Sequence, residues 1–371
     1  MNGNLSKKIV LIILLIVVSV IIISCDKEPI KIGFIGSLTS KQSQLSIDAR
    51  NAIQLEIERI NENGGIKGRP LMLVAKDDKV SYEVSLEKYN EFIEENVHLV
   101  IGPMTSSMTD AVLDAPKSKI LFISPSMSTK RLKDIDDNIL RTTASIEIQG
   151  VEFLKFINNK NYKHIIIMYD LMNEAYTENL AQDIKKDGEE SIREISLITF
   201  DSRLNNLETV LSEIDTNDIN AVLTISQAID TAFIVQNINK QNSDIDFYSV
   251  PWSMTEDLIH YGGKAIEGMH LVGLYKAKVK SDEYIRFESE FKEKFNYEAS
   301  FITKLAYDAF HVLVSGMENA KSLSAEDVKK SIIEIGEFNG IEEPIVMNQF
   351  GDSRRNYMMY EITDGEFVPI Y

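Results

Sequence analysis

Apolar residues fall along this chain in short, nearly unbroken runs separated by stretches with a helical repeat. Residues 30–35 form one such run and predict a β-strand. After a polar loop, Ala49, Ile53, Ile57 and Ile60 recur at intervals of 4, 4 and 3, which puts them on one helix face, and Asn63-Gly64-Gly65 ends the helix. Further strands are predicted at residues 71–75, 97–101 and 120–124. These runs are apolar almost throughout rather than alternating, the pattern of a parallel sheet covered on both faces. A second series begins near Ser145, with strands expected at 164–169, 195–200, 221–225 and 247–250 and a helix over 229–240. Two long helices are expected near 283–295 and 301–320, followed by a β-like tail over 341–371. The pattern predicts an α/β fold of two doubly wound parallel-sheet units. No internal repeat, Pro-rich linker or low-complexity segment parts them, so their interface is close, and crevices of that kind bind ligands.

One apolar run is of a different kind. Residues 9–23 are apolar except for Ser19, follow Lys7 and Lys8, and lead into Ser24-Cys25. A membrane-spanning helix needs roughly 20 apolar residues, whereas the hydrophobic segment of a secretory signal needs about 7 to 15. The run fits export. Cys25 is the only cysteine, and an unpaired thiol in an exported protein should have a use. The segment resembles the bacterial lipobox, in which the cysteine is acylated and becomes the first residue of the mature chain; Ile22 and Ile23 depart from its usual Leu and small residue, and Ser24 conforms. An uncleaved N-terminal anchor with an idle cysteine is the other reading of these residues.

Cleavage before Cys25 removes two lysines and takes the formal charge from −18 to −20. The remaining length suits two domains, each able to bury its own core. Net acidity argues against nucleic acid or an anionic lipid surface as partner. No G-x-S-x-G, Walker loop, H-E-x-x-H or G-x-G-x-x-G occurs, and the five histidines are scattered, so no catalytic set, metal or cofactor is expected.

Small polar residues stand instead where predicted strands end. Ile101-Gly102-Pro103-Met104-Thr105-Ser106-Ser107 follows one strand and Ser124-Pro125-Ser126-Met127-Ser128-Thr129 the next. Their hydroxyls and backbone N–H groups suit a carboxylate at the positive end of a helix. The same residue types also serve as plain N-caps, and the sequence pattern leaves both roles open.

With IKIGFIGSLTS at Ile30, NGGIKGRPLMLVAKDD at Asn63, IGPMTSS at Ile101, ISPSMST at Ile123, YDLMNEAYTENLA at Tyr169, YGGKAIEGMHLVG at Tyr261 and the tail from Phe338, the chain resembles the branched-chain amino acid binding proteins of ABC transporters. The resemblance implies two lobes joined by three crossovers around a hinged ligand cleft. One lobe would take residues 25–143 with about 276–335, the other 144–275 with about 336–371. It also implies a carboxylate-binding serine at Ser106, backbone and hydroxyl contacts at Ser126 and Ser128, and an aromatic wall at Tyr176. The family's ammonium-binding acid falls near Trp252, whose indole has an apolar face and one N–H donor but no negative charge. Asp230, Glu174 or Glu256 would have to take that role, and the α-amino group of a ligand becomes optional. Met104, Met127, Met172 and Met254 all follow predicted strands; they either line a deformable apolar pocket or pack beneath the loops.

The expected function is therefore that of a monomeric, lipid-anchored solute-binding protein on the outer face of the cytoplasmic membrane, passing an amino acid or other small carboxylate to an ABC transporter permease. A ligand-sensing module for a membrane receptor or kinase is the alternative. The two or three acyl chains expected on a lipoprotein cysteine hold a domain stably, whereas one chain binds only marginally. Mass spectrometry of the mature N-terminus should find lipid on Cys25, and Cys25→Ser should abolish it; a wild-type N-terminus without lipid contradicts the anchor.

Overall fold

The computed structural model describes residues 28–40, 43–276 and 278–370. The apolar leader and Cys25 lie outside the described residues. The first sheet contains β1 (Ile30–Gly36), β2 (Leu71–Asp77), β3 (Leu99–Ile101), β4 (Leu121–Ser124) and β5 (Ile139–Arg141), all parallel, in the order β2-β1-β3-β4-β5. Its unbroken apolar runs are explained by burial on two sides. Ile32, Phe34, Leu99, Ile101, Leu121 and Ile123 enter one core, while Ile35, Val100 and Phe122 enter the other. The first core includes the Ala49, Ile53, Ile57 stripe of α1 (Gln44–Glu62). The second takes Tyr89 and Phe92 from α2 (Tyr82–Glu94) and Val112 from α3 (Thr109–Asp114).

The second unit repeats the arrangement with helices α4 (Glu147–Ile157), α5 (Glu174–Gly188), α6 (Leu207–Ser212), α7 (Ala228–Gln241) and α8 (Glu256–Gly262). Its strands β6 (His164–Asp170), β7 (Glu194–Phe200), β8 (Ala221–Ile225), β9 (Asp246–Ser249) and β10 (His270–Leu274) are parallel. Alternate residues again divide between two cores: Ile165, Ile167 and Tyr169 pack towards α4 and α5, and Ile166 and Met168 towards α7 and α8.

The chain then returns to the first sheet. Tyr284, Phe287 and Phe291 of α9 (Asp282–Phe295), Phe310 and Leu313 of α10 (Phe301–Asn319), and Val328 and Ile332 of α11 (Ala325–Ile335) join the core that holds α1. A small antiparallel sheet of β11 (Glu337–Phe338), β12 (Ile345–Met347) and β13 (Ser353–Arg354) follows. Finally β14 (Tyr357–Thr363) and β15 (Glu366–Pro369) add antiparallel strands beside β10, giving the order β15-β14-β10-β9-β8-β6-β7. The predicted two doubly wound parallel sheets are present, with this antiparallel edge. The short β5, β10 and β11 are additions to the sequence reading: strands of two or three residues carry too little pattern to read, and Gly273 interrupts the β10 run, whereas β12 to β15 fall within the expected β-like tail.

Three passages link the sheets, at 142–146, 275–281 and 336–356, and buried polar bonds tie the first to the third. Arg141 Nε donates to Asp352 at 2.9 Å, the Arg141 N–H donates to the Gly351 carbonyl at 2.8 Å, and Ser353 Oγ donates to the Thr143 carbonyl at 3.2 Å. Arg355 Nη2 donates to Asp308 of α10 at 2.6 Å, with both side chains almost wholly buried. Removing one partner of such a pair strands the other charge in the interior, which costs about 3–5 kcal/mol. Asp308→Ala should lower unfolding stability by about that amount in denaturant titrations; a change within about 0.5 kcal/mol, as for ordinary surface substitutions, contradicts this role.

Candidate functional site

In each sheet the strand order reverses beside the first strand, β1 next to β3 and β6 next to β8, and loops beyond the carboxyl ends of strands at such points form binding crevices. Loops from both sheets meet around a cavity whose space, counting the part open to solvent, is about 500 Å³. From the first sheet come Met104, Thr105 and Ser106 after β3, and Ser126 and Ser128 after β4. Gly102 makes the first loop possible: its φ is +110°, and a Cβ there would stand 2.1 Å from the Ile35 carbonyl oxygen. Two serines tie the loops together, since Ser124 Oγ donates to the Pro103 carbonyl at 2.7 Å and Ser126 Oγ to the Met104 carbonyl at 2.6 Å. Ser106 Oγ accepts the Ser128 N–H at 3.3 Å. Among the described residues nothing takes the Ser106 proton, so that hydroxyl can donate into the cavity.

The second sheet supplies Asn173 and Tyr176 after β6, and Pro251 and Trp252 after β9. Tyr176 and Trp252 meet edge to face, ring centroids 6.1 Å apart and planes at 87°. The remaining polar surface lies near the passages between sheets. Tyr176 Oη donates to Gln149 Oε1 at 2.7 Å, Gln149 Nε2 donates to Tyr357 Oη at 3.2 Å, and Tyr357 Oη lies 3.3 Å from Thr143 Oγ1. Burial pushes both tyrosine hydroxyls above the ordinary range, so they are protonated at any physiological pH. Leu45, Phe301 and Leu305 of the first unit and Leu274 of the second supply apolar wall. Among the described residues no Asp, Glu, Lys, Arg or His lines the cavity.

The units also touch directly. Ser107 Oγ donates to Asn173 Oδ1 at 3.0 Å and to the Met172 carbonyl at 3.1 Å, the Ser107 N–H donates to Asn173 Oδ1 at 3.2 Å, and Lys130 pairs with Asp183 of α5.

Of the residues singled out from sequence, Ser106, Ser126, Ser128, Tyr176 and Trp252 come together around this cavity. Asp230 does not: it lies in the first turn of α7, where Gln227 Nε2 donates to it at 3.0 Å. Glu174 is exposed, and Glu256 accepts the Glu298 N–H at 3.3 Å outside the cavity. Only Met104 of the four methionines lines it; Met127 is fully buried in the core behind the first sheet, and Met254 borders a separate groove. Sequence reasoning missed Thr143, Gln149 and Tyr357. These sit in a crossover, a helix start and an antiparallel strand, and no local motif distinguishes them. Beyond Leu274, Phe301 and Leu305 lies that second, wider groove, about 2040 Å³ counting the part open to solvent, which is lined by charged residues, among them Glu256, Glu298, Lys304, Glu342 and Arg355.

A family model described as periplasmic binding protein matches residues 29–366. Among proteins of known function, the chain is similar to the leucine-, isoleucine-, valine-, threonine- and alanine-binding protein of Pseudomonas aeruginosa, at 22% identity over 82% of each chain. Among solved structures it is similar to a branched-chain amino acid transporter substrate-binding protein from Streptococcus pneumoniae in complex with isoleucine (TM-score 0.82, 20% identity, covering 92% of this chain and 99% of that one). It is similar to an ABC transporter solute-binding protein from R. palustris in complex with benzoate as well (TM-score 0.81, 15% identity, 92% and 95% covered). At these identities the structural matches establish a common fold.

Trp252 is the sole tryptophan, so its emission reports on this cavity without interference. A molecule entering the cavity should change the intensity or wavelength of Trp252 fluorescence. Binding demonstrated by calorimetry with emission unchanged in both respects would place the site elsewhere.

Proposed function

The chain belongs to the periplasmic binding protein family, whose members are extracytoplasmic solute-binding proteins, and on that premise we propose that it captures an amino acid or other small carboxylate between its two lobes and hands it to an ABC transporter permease. The observation that carries this reading is the cavity lined from both sheets, with Ser106, Ser126 and Ser128 on one side and Tyr176 and Trp252 on the other. Relatives with the same fold hold isoleucine and benzoate, two small molecules that share a carboxylate and apolar bulk. In this reading the Ser106 hydroxyl and neighbouring loop donors hold the carboxylate, and the rings of Tyr176 and Trp252 cover the apolar part. Hydrogen bonds to an ionised group are about twice as strong as neutral ones, which suits a site that must hold an anion with no cationic side chain among its described residues.

The lobes are proposed to comprise residues 25–143 with about 276–335 and residues 144–275 with about 336–371. Lipid on Cys25 would hold this acidic monomer at the outer face of the cytoplasmic membrane, within reach of the permease. Among the described residues no helix is long and apolar enough to cross a membrane.

Native mass spectrometry of the purified mature protein should reveal a retained small acid. Calorimetry with that compound should show Ser106→Ala binding it about ten- to a hundredfold more weakly, corresponding to about 1.5–3 kcal/mol for a hydrogen bond to a charged group. Unchanged affinity would place the carboxylate elsewhere or show that the ligand has none.

A further inference from the structure

The polar groups beside the lobe passages do not balance among themselves. Thr143, Gln149, Tyr176 and Tyr357 carry among them three hydroxyl hydrogens and the two hydrogens of an amide. Among the described residues they share only the three contacts given above. Two donor hydrogens are thus left without an acceptor among the described residues, whichever way the Gln149 amide is turned and whichever hydroxyl donates in the Thr143–Tyr357 contact. All four side chains are buried and line the cavity. A buried donor left without an acceptor costs about 1–3 kcal/mol, and a ligand that displaces water from it must replace the acceptor it removes.

Among the described residues no carboxylate lines the same cavity to face an ammonium. The acids considered for that role, Asp230, Glu174 and Glu256, all stand outside its lining. An ammonium group is all donor, and enclosing it without a countercharge is costly. Surplus donors and a missing anion select against the same chemical feature and for the same alternative.

We infer that the ligand is a carboxylic acid without a free amino group, carrying a second, uncharged acceptor oxygen, a carbonyl or hydroxyl, that satisfies the Thr143–Gln149–Tyr357 donors. The inference rests on the reading of this cavity as the ligand site, and narrows it from carboxylates in general to oxo or hydroxy acids with apolar bulk. Tyr357 is then a specificity-determining residue: its hydroxyl joins the Gln149 amide of one lobe to Thr143 at the lobe passage, and it sorts ligands by whether they bring an acceptor.

Three probes on one carbon skeleton test this: 4-methylpentanoate, 4-methyl-2-oxopentanoate and leucine, titrated by calorimetry with Trp252 emission followed in parallel. The oxo acid should bind at least about tenfold more tightly than leucine, the step that a difference of 1.4 kcal/mol makes. Tyr357→Phe should weaken the oxo acid by about two- to tenfold, the range for one neutral hydrogen bond, and leave 4-methylpentanoate within about twofold. Weakening of both acids alike would assign Tyr357 a purely structural role and overturn the specificity argument. Leucine binding more tightly than the oxo acid would overturn the inference while leaving the binding function intact. Failure of all three probes, and of a broad library of small acids, to bind or to move Trp252 emission would overturn the reading of the cavity as a binding site and this inference with it.

Discussion

Loops from two separate sheets line one cavity whose walls, among the described residues, carry hydroxyls, amides and rings but no charged side chain. An anion taken into such a space loses its water and meets no fixed cation, so it can be held only where several oriented N–H and O–H groups converge on it. On the proposed reading, that requirement accounts for the cross-ties between the loops after β3 and β4. Ser124 and Ser126 spend their protons on the neighbouring loop, and the Ser128 N–H rests on Ser106, so the geometry of the uncommitted Ser106 donor is fixed by its neighbours. Pre-organisation of this kind lowers the entropy that binding must overcome.

The charges are kept instead at the lobe passages and in the wide groove beyond Leu274, Phe301 and Leu305. Arg141 with Asp352 and Arg355 with Asp308 fix the third passage against the first sheet and α10. Buried pairs of this type contribute little net stability, because desolvation offsets their attraction, but they penalise any arrangement that separates them. Placed at the passages, they restrict the lobes to rotations that keep these bonds. The bonds from Ser107 to Asn173 and Met172, far from the passages along the chain, join one lobe directly to the other across the cleft.

Both sheets and the helices α1, α7, α9 and α10 were legible in the sequence because a strand buried on two faces must be largely apolar, and a covering helix must repeat its apolar residues every three or four. The serine loops were legible for the same reason, since they begin where those runs stop. Thr143, Gln149 and Tyr357 were not: each lies in an element whose local pattern speaks only of packing, and they come together when β14 returns to lie antiparallel to β10. The absence of an acid at Trp252 was readable, but that Asp230 stands outside the cavity depended on which turn of α7 it occupies. Met127 illustrates the same limit, as its position after a strand is shared with Met104 while its side chain points into the core.

The central claim is that both lobes hold the ligand at once, so that occupancy favours the closed arrangement. A ligand shifts such an equilibrium only by binding the closed form more tightly, which requires contacts from both sides. Small-angle X-ray scattering of the mature protein, alone and saturated with the acid it retains, measures this directly. The account predicts a smaller radius of gyration on saturation; a radius unchanged while calorimetry shows full occupancy would contradict it and confine the site to one lobe.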